Sequence, residues 1–339
     1  MKYHLFIGID QSKLTFDAAI LTGSLPAEHQ HHQFENTTKG FKAFIKWIRS
    51  LHPKISLSEI LICAENTGWY GYPLNMFLCN LKANLWVENA LQIKLSAGLK
   101  RGKSDKMDAS SIARYCYLHR DHARLYKIPG KTIVALRHLL AFREQLVKQQ
   151  VSLTLVKKEF SIVESSVQDL IAKQSLLIRK MLKQKIELID QQLSQLVEQD
   201  QELKEKYSLV NSVYGVGKQT ALFILVYTNG FTSFNHWKKF ACYCGIAPFE
   251  FTSGTSIRGK TRISSLGNKK LKSLLTMCAL NTIKKDNELK QYYDRRIAEG
   301  KNAMSTINVL RNKLLSRIFA VVNRGTPYQK NRIDQYTIA

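Results

Sequence analysis

Apolar positions fall in two periods along the chain. Leu5-Phe6-Ile7-Gly8-Ile9 is a continuous apolar run closed by Asp10, and with Phe16–Thr22 it predicts a pair of strands joined by the turn Gln11-Ser12-Lys13. A third strand is expected around Gln33–Asn36. From Thr38 the spacing becomes helical, with Phe41, Phe44, Ile45, Ile48 and Leu51 on one face. Ile60–Ala64 is a further strand, closed by Glu65. A helix near 70–82, a strand at 84–88 and a helix over 105–119 follow. Three early strands and then helix–strand alternation predict a mixed α/β sheet.

Pro129-Gly130 breaks this pattern. Beyond it Leu139, Phe142, Leu146, Gln149, Leu153, Val156, Phe160, Val163, Val167 and Leu170 alternate steps of three and four, the seam of a coiled coil. A second seam runs Leu182, Ile186, Ile189, Leu193, Leu196, Asp200, Leu203, with Ala172-Lys173-Gln174-Ser175 as the expected turn. Arms of about 30 residues reach roughly 45 Å. Their cover is either a partner subunit, giving a homo-oligomer (dimer or tetramer), or an internal bundle. From Tyr207 a third, mostly α unit begins. There Gly215-Val216-Gly217 resembles the turn of a helix-hairpin-helix, which offers backbone N–H groups to a phosphate. The expected domains are 1–126, 127–206 and 207–339.

Composition narrows the partners. The 339 residues carry 51 Lys+Arg against 26 Asp+Glu, a net charge of +25, which favours polyanions. Residues 208–339 hold +15 of it, and 181–207 are slightly acidic. Six cysteines form no CxxC pair; Cys63, Cys79 and Cys116 sit in apolar stretches, as expected of a chain in a reducing cytosol. No signal peptide or run of eighteen apolar residues is found, which argues against secretion and membrane spanning.

Chemistry is suggested at two places. Asp10 and Glu65 close buried strands, and Asp105 and Asp108 share one face at a helix start. Acids so placed are costly unless cations neutralise them, and two hard cations held by carboxylates suit phosphodiester displacement. Lys100, Arg101 and Lys103 would hold a nucleic-acid backbone beside them. The second place is Phe251–Ser264, Gly-rich, Ser-rich and basic, which is expected to be a phosphate-facing loop and not a strand or helix interior. Arg258, Lys260 and Arg262 could steady phosphoryl charge, with Lys218, Lys269 and Lys270 as further backbone contacts. On residues alone, Ser253 is either a nucleophile or an ordinary phosphate contact, and Thr252 and Ser256 offer equivalent hydroxyls.

Taken together, Ile7-Gly8-Ile9-Asp10, Glu65-Asn66-Thr67-Gly68, Lys103–Ala109, Gly215-Val216-Gly217, Gly245-Ile246-Ala247-Pro248, Ser253-Gly254, Ile263-Ser264 and Gly267-Asn268 resemble the DEDD insertion-sequence transposases, the IS-one-ten family of bridge-RNA-guided recombinases. The likeness covers nearly the whole chain. Ser265 departs from it, standing where a lysine is common. The resemblance implies an α/β ribonuclease-H/RuvC-like N-terminal domain, a long helical coiled-coil middle and a C-terminal transposase domain with helix-hairpin-helix. It also implies a two-ion Mg²⁺ site on Asp10, Glu65, Asp105 and Asp108, and Ser253 as the nucleophile that joins a DNA end. Donor and target DNA and a structured bridge RNA would be partners, and the acids of one subunit would work with the serine of another. The setting implied is the bacterial cytoplasm, at the nucleoid. Three rivals stand beside this reading. A RuvC-type junction nuclease would leave no serine-linked product. An actin-like kinase would need a Gly-rich turn where Gln11-Ser12-Lys13 stands, and a nucleic-acid scaffold would bind no divalent ion.

Overall fold

The computed structural model describes residues 3–22, 30–68, 70–96, 98, 104–159, 164–253, 257–264, 266–285 and 287–329. Two compact units divide the chain, Met1–Ile128 and Pro129–Ala339.

The first unit is built on strands β1 (Leu5–Gln11), β2 (Thr15–Thr22), β3 (Gln30–Glu35), β4 (Ile60–Glu65) and β5 (Asn84–Glu88), in the spatial order β3-β2-β1-β4-β5. The three early strands pair antiparallel, whereas β1–β4 and β4–β5 are parallel. Helices α1 (Thr38–Leu51) and α2 (Tyr72–Asn80) follow β3 and β4, and α3 (Ala90–Ser96) and α4 (Asp105–Leu118) follow β5. The strands read as unbroken apolar runs because both sheet faces are buried. Leu5, Ile7, Ile9, Ile60, Ile62 and Ala64 pack with Phe41, Phe44 and Leu74 from α1 and α2. Phe6, Leu61 and Cys63 pack with Ile112, Ala113 and Cys116 of α4. Helix starts follow local chemistry: the Thr37 hydroxyl accepts from Gly40 N, and the Ser104 hydroxyl accepts from Met107 N. Helix α3 is an element that apolar spacing does not predict.

In the second unit, α5 (Lys131–Glu159) and α6 (Ser165–Glu198) lead into α7 (Gln201–Ser212), α8 (Lys218–Tyr227) and α9 (Trp237–Tyr243). The hairpin β6 (Pro248–Ser253) and β7 (Ile257–Ile263) comes next. Helices α10 (Lys269–Thr282), α11 (Glu288–Ala298) and α12 (Ala303–Arg324) complete the unit. One core runs through it, from Leu136 of α5 and Leu193 of α6 to Ile224, Leu275 and Leu314.

Three expectations are corrected here. The turn placed at Ala172–Ser175 lies inside α6, because Ala, Lys and Gln are strong helix formers and no Gly or Pro interrupts them. The change of helix falls between Glu159 and Ser165, and the seam positions Phe160 and Val163 lie outside the described residues. Asp200 is not a seam residue: its carboxylate accepts from Leu203 N and caps α7. Residues 251–253 and 257–263 lie in two paired antiparallel strands and not in a loop, and 254–256 are outside the described residues. Phe249, Phe251, Thr252, Ile257, Thr261 and Ile263 supply the aromatic and β-branched content that a strand prefers, and this outweighs the glycines and serines between them.

The two predicted seams differ. Leu182, Ile186, Ile189 and Leu193 are buried, whereas Phe142, Val167 and Leu170 are exposed. Where the arms do pack, Arg143 clasps Asp190 with two hydrogen bonds of 2.6 and 2.9 Å. Gln219 of α8 donates to the same carboxylate at 2.8 Å.

Candidate active site

Residues of a strand alternate between faces, so Phe6, Gly8 and Asp10 all point toward α4, as do Leu61, Cys63 and Glu65. Ile9 pairs with Ala64, and one step further along the parallel strands Asp10 stands beside Glu65. On its other side Asp10 pairs with Asp17 of β2, while Glu65 pairs with Glu88 of β5. Four acids thus form one row across the carboxyl end of the parallel strands, on a single face.

Helix α4 brings the other two. Its Cys116 thiol donates to Leu61 O, and a Cβ placed on Gly8 would lie 2.1 Å from Ala113 N and 2.3 Å from Ala109 O. Gly8 is therefore the point where α4 rests directly on β1. Tracing the helix back from Ala113 to Ala109 leads to Asp108, the next residue, and Asp105, about one turn before Ala109, at the helix start that faces Asp10. Both acids belong to the first turn of α4, where the helix dipole favours negative charge.

The electrostatics record this convergence. Burial raises the Asp10 carboxyl from 3.8 to about 6, and the charges of Glu65, Asp108, Asp105 and Asp17, in that order, add to it. Each of the other three predicted acids is thus within electrostatic reach of Asp10. Among the described residues, no group of three or more His, Cys, Asp or Glu side chains is disposed to hold a metal ion as it stands. The donor set nevertheless has the chemistry of a hard-cation site: carboxylates crowded at a half-buried point, where their mutual repulsion is relieved by protonation or by a cation.

The surroundings fix the strand ends. Gln11 is buried and donates to Asn75 Oδ1, while Thr67 Oγ1 donates to Gln11 Oε1. Asn36 donates to Ser12 O and Tyr70 O, tying the turn after Glu65 to the end of β1. Asp17 and Glu88 are acids of the row that sequence reasoning misses. Asp17 is buried, with Oδ1 2.7 Å from His31 Nε2 and Oδ2 accepting from Gln33 Nε2 at 3.0 Å. The available signal is an acid inside the otherwise apolar run Phe16–Leu21.

The remaining candidates lie in the second unit or outside the described residues. Lys100, Arg101 and Lys103 are outside them, as are Gly254, Ser256 and Ser265. Gly215, at φ +90°, turns the chain between α7 and α8, and Gly217 precedes the exposed Lys218 that opens α8. Ser253 is the last residue of β6, paired with Ile257; Arg258 and Lys260 are on β7, and Arg262 is exposed opposite Phe249. Lys269 is exposed at the start of α10. Lys270 is engaged within the unit, 2.9 Å from Glu144 and over the Phe223 ring. The Gly245-Ile246-Ala247-Pro248 and Gly267-Asn268 motifs meet: a Cβ on Gly267 would lie 2.2 Å from Gly245 Cα, and Asn268 N donates to Tyr243 O.

An α/β sheet with carboxylates gathered at the ends of its central strands, joined to a strongly basic helical unit, defines a DNA-processing enzyme. Family comparison agrees. Residues 7–157 match a DEDD family described as "Transposase", and residues 207–294 match the "Transposase IS116/IS110/IS902 family". The chain is 30% identical over 330 residues to the "Pilin gene-inverting protein" of Moraxella lacunata, covering 96% of this chain and 98% of that one. The protein of the same description from Moraxella bovis is equally similar. An "Insertion element IS110 uncharacterized 43.6 kDa protein" of Streptomyces coelicolor is 35% identical over 121 residues, 36% of this chain and 30% of that one. The chain belongs to the IS110 family of transposases and is a DNA transposase/recombinase. No helix among the described residues is long and apolar enough to cross a membrane.

Proposed function

We propose that this chain cuts and rejoins DNA through a serine-linked intermediate, using Asp10, Glu65, Asp105 and Asp108 to hold Mg²⁺ in a two-ion site. The observation that carries the proposal is the approach of Glu65, Asp108 and Asp105 to Asp10 at a half-buried strand end, where burial first and then those charges raise Asp10 to about 6. Bound there, divalent ions would supply charge stabilisation at phosphoryl oxygens and a lowered barrier for displacement. In this reading residues 1–126 are a RuvC-like domain and 207–339 a transposase domain whose α7–α8 turn works as a helix-hairpin-helix.

Ser253 closes β6 beside a basic strand. Its oxygen would bond to phosphorus as the phosphorus–sugar oxygen bond breaks. The serine proton leaves to solvent and the departing sugar oxygen takes one up. One phosphoester replaces another, so reversal onto a second DNA end rejoins the strand. Arg258, Lys260 and Arg262 would face the charge on the phosphoryl oxygens, and Lys218 and Lys269 the flanking backbone. A structured bridge RNA supplying target choice, and assembly as a homo-oligomer, complete the proposal. The exposed apolar positions Phe142, Val167, Leu170, Leu177 and Met181 along α5 and α6 support assembly.

The test is a denaturing gel of the full chain incubated with end-labelled substrate DNA and Mg²⁺. Wild type should give a protein–DNA adduct, and Ser253→Ala, with Ser256 retained, should give none. Adduct at normal yield in Ser253→Ala would overturn the nucleophile.

A further inference from the structure

A cavity of about 1090 Å³ opens in the second unit between α9, the base of the β6–β7 hairpin and α12. Its charged lining is all cationic, Lys238, Arg262, Lys272 and Arg311, with no carboxylate among the described residues that line it. Trp237 and Phe249 supply aromatic surface, and Phe249 is 51% exposed although it is large and apolar.

Arg311 is the unusual member. It is only 4% exposed, yet among the described residues no acid pairs with it. Its Nη1 donates to Asn308 Oδ1 at 3.2 Å, and its Nε has no partner. Asn308 is itself held in place, because its amide donates to Ile246 O at 2.9 Å. A buried guanidinium with unused donors is costly on its own and calls for an anion. The desolvation is felt as a lowered Arg311 pKa. Nothing in the proposed serine or carboxylate chemistry uses this group.

The cavity is near the upper end of small-ligand sites, roughly 300–1,000 Å³, and concave, so it fits a nucleotide but not a stacked duplex. Cations beside aromatic rings are the combination that recognises a nucleotide freed from pairing, through phosphate and base stacking together. Phe249 is on the same strand as Ser253, roughly 13 Å away at 3.3 Å per residue.

We propose that this cavity captures a single unpaired nucleotide of the bound nucleic acid, its phosphate met by Arg311 and Lys272 and its base laid against Phe249 and Trp237. The choice of nucleic acid as ligand rests on the recombinase reading. The site would anchor an extruded base close to the strand that carries Ser253 and so set which phosphate is presented to it.

The experiment uses full-length Ser253→Ala protein in EDTA, so that its result does not depend on metal or on a covalent step. Fluorescence anisotropy compares fully paired duplexes with duplexes carrying one bulged 2-aminopurine nucleotide, as DNA and as RNA. The bulged form of at least one of them should bind about tenfold tighter, and the one preferred identifies the source of the nucleotide. Phe249→Ala should bring bulged and paired forms within about twofold without weakening paired duplex. Arg311→Lys should weaken the bulged form about tenfold. Because Arg311 is buried and this variant can misfold, the exposed Phe249 is the deciding position. Equal binding of paired and bulged forms in both DNA and RNA, or equal weakening of both forms by Phe249→Ala, would overturn the proposal.

Discussion

Gly8 and Ala113 meet backbone to backbone: a Cβ on Gly8 would lie 2.1 Å from Ala113 N. This contact sets how closely α4 lies on β1, and hence how near Asp105 and Asp108 stand to Asp10. Replacing Gly8 with Ala forces helix and strand apart. Overpacking of this kind costs about 1–3 kcal/mol. Gly8→Ala should lower the denaturation midpoint of the first unit and reduce strand transfer at least tenfold. DNA retention by gel shift should remain near wild type, because the basic second unit is untouched. Wild-type activity in Gly8→Ala would break the link between helix placement and the acids.

Asp10 makes stability depend on pH in a known direction. Its carboxyl is held at about 6 in the fold against 3.8 in an unfolded chain, so the folded state binds more protons between those values. Stability is therefore lost as pH rises through that window. In EDTA, Asp10→Asn should raise the melting temperature by a few degrees at pH 7.5, and by nothing measurable at pH 3.5. Thermal melts at the two pH values check this. A mutant equal to wild type at pH 7.5 would mean that burial and the neighbouring carboxylates do not hold the Asp10 carboxyl up.

Divalent ions should reverse that ranking. Mg²⁺ that binds the folded acids stabilises by mass action. Wild type should gain several degrees at millimolar Mg²⁺, and Asp105→Ala and Asp10→Asn should gain much less. Calorimetric titration with Mg²⁺, showing binding to wild type and none to Asp105→Ala, is the direct measurement. Equal binding by both would remove Asp105 from the ligand set.

Asp190 anchors α6 to α5 and α8 through Arg143 and Gln219. The pair is part-exposed, so its removal should cost about 1–2 kcal/mol and not the larger figure of a fully buried pair. Asp190→Ala should lower the urea midpoint by that amount. Asp190→Asn, which keeps an acceptor, should lose less.

Much of the first unit is legible in the sequence, because strands buried on both faces read as unbroken apolar runs and their closing residues, Asp10 and Glu65, stand out as acids. Asp105 and Asp108 are legible through helical spacing beside a serine cap. Asp17 and Glu88 are not, since a row across a sheet depends on strand order and register, which no single run encodes. The β6–β7 hairpin is hidden by its glycines and serines, although Thr and Ile in the same stretch argue for strand. The start of α6 at Ser165 escapes the sequence pattern because no Gly or Pro marks it. Arg311 reads in sequence as an ordinary cation on a helix; only packing reveals that it is buried.

The rims of the sheet have a consequence of their own. At one rim β3, Gln-His-His-Gln-Phe-Glu, is largely polar. At the other, β5 is bridged by Leu125 to Trp86, and Tyr126 N donates to Leu85 O. One border is guarded by hydrophilic side chains and the other is capped by the chain's own backbone, so stray polypeptide has little purchase for adding a strand. Pairing of two copies edge to edge through this sheet is disfavoured for the same reason.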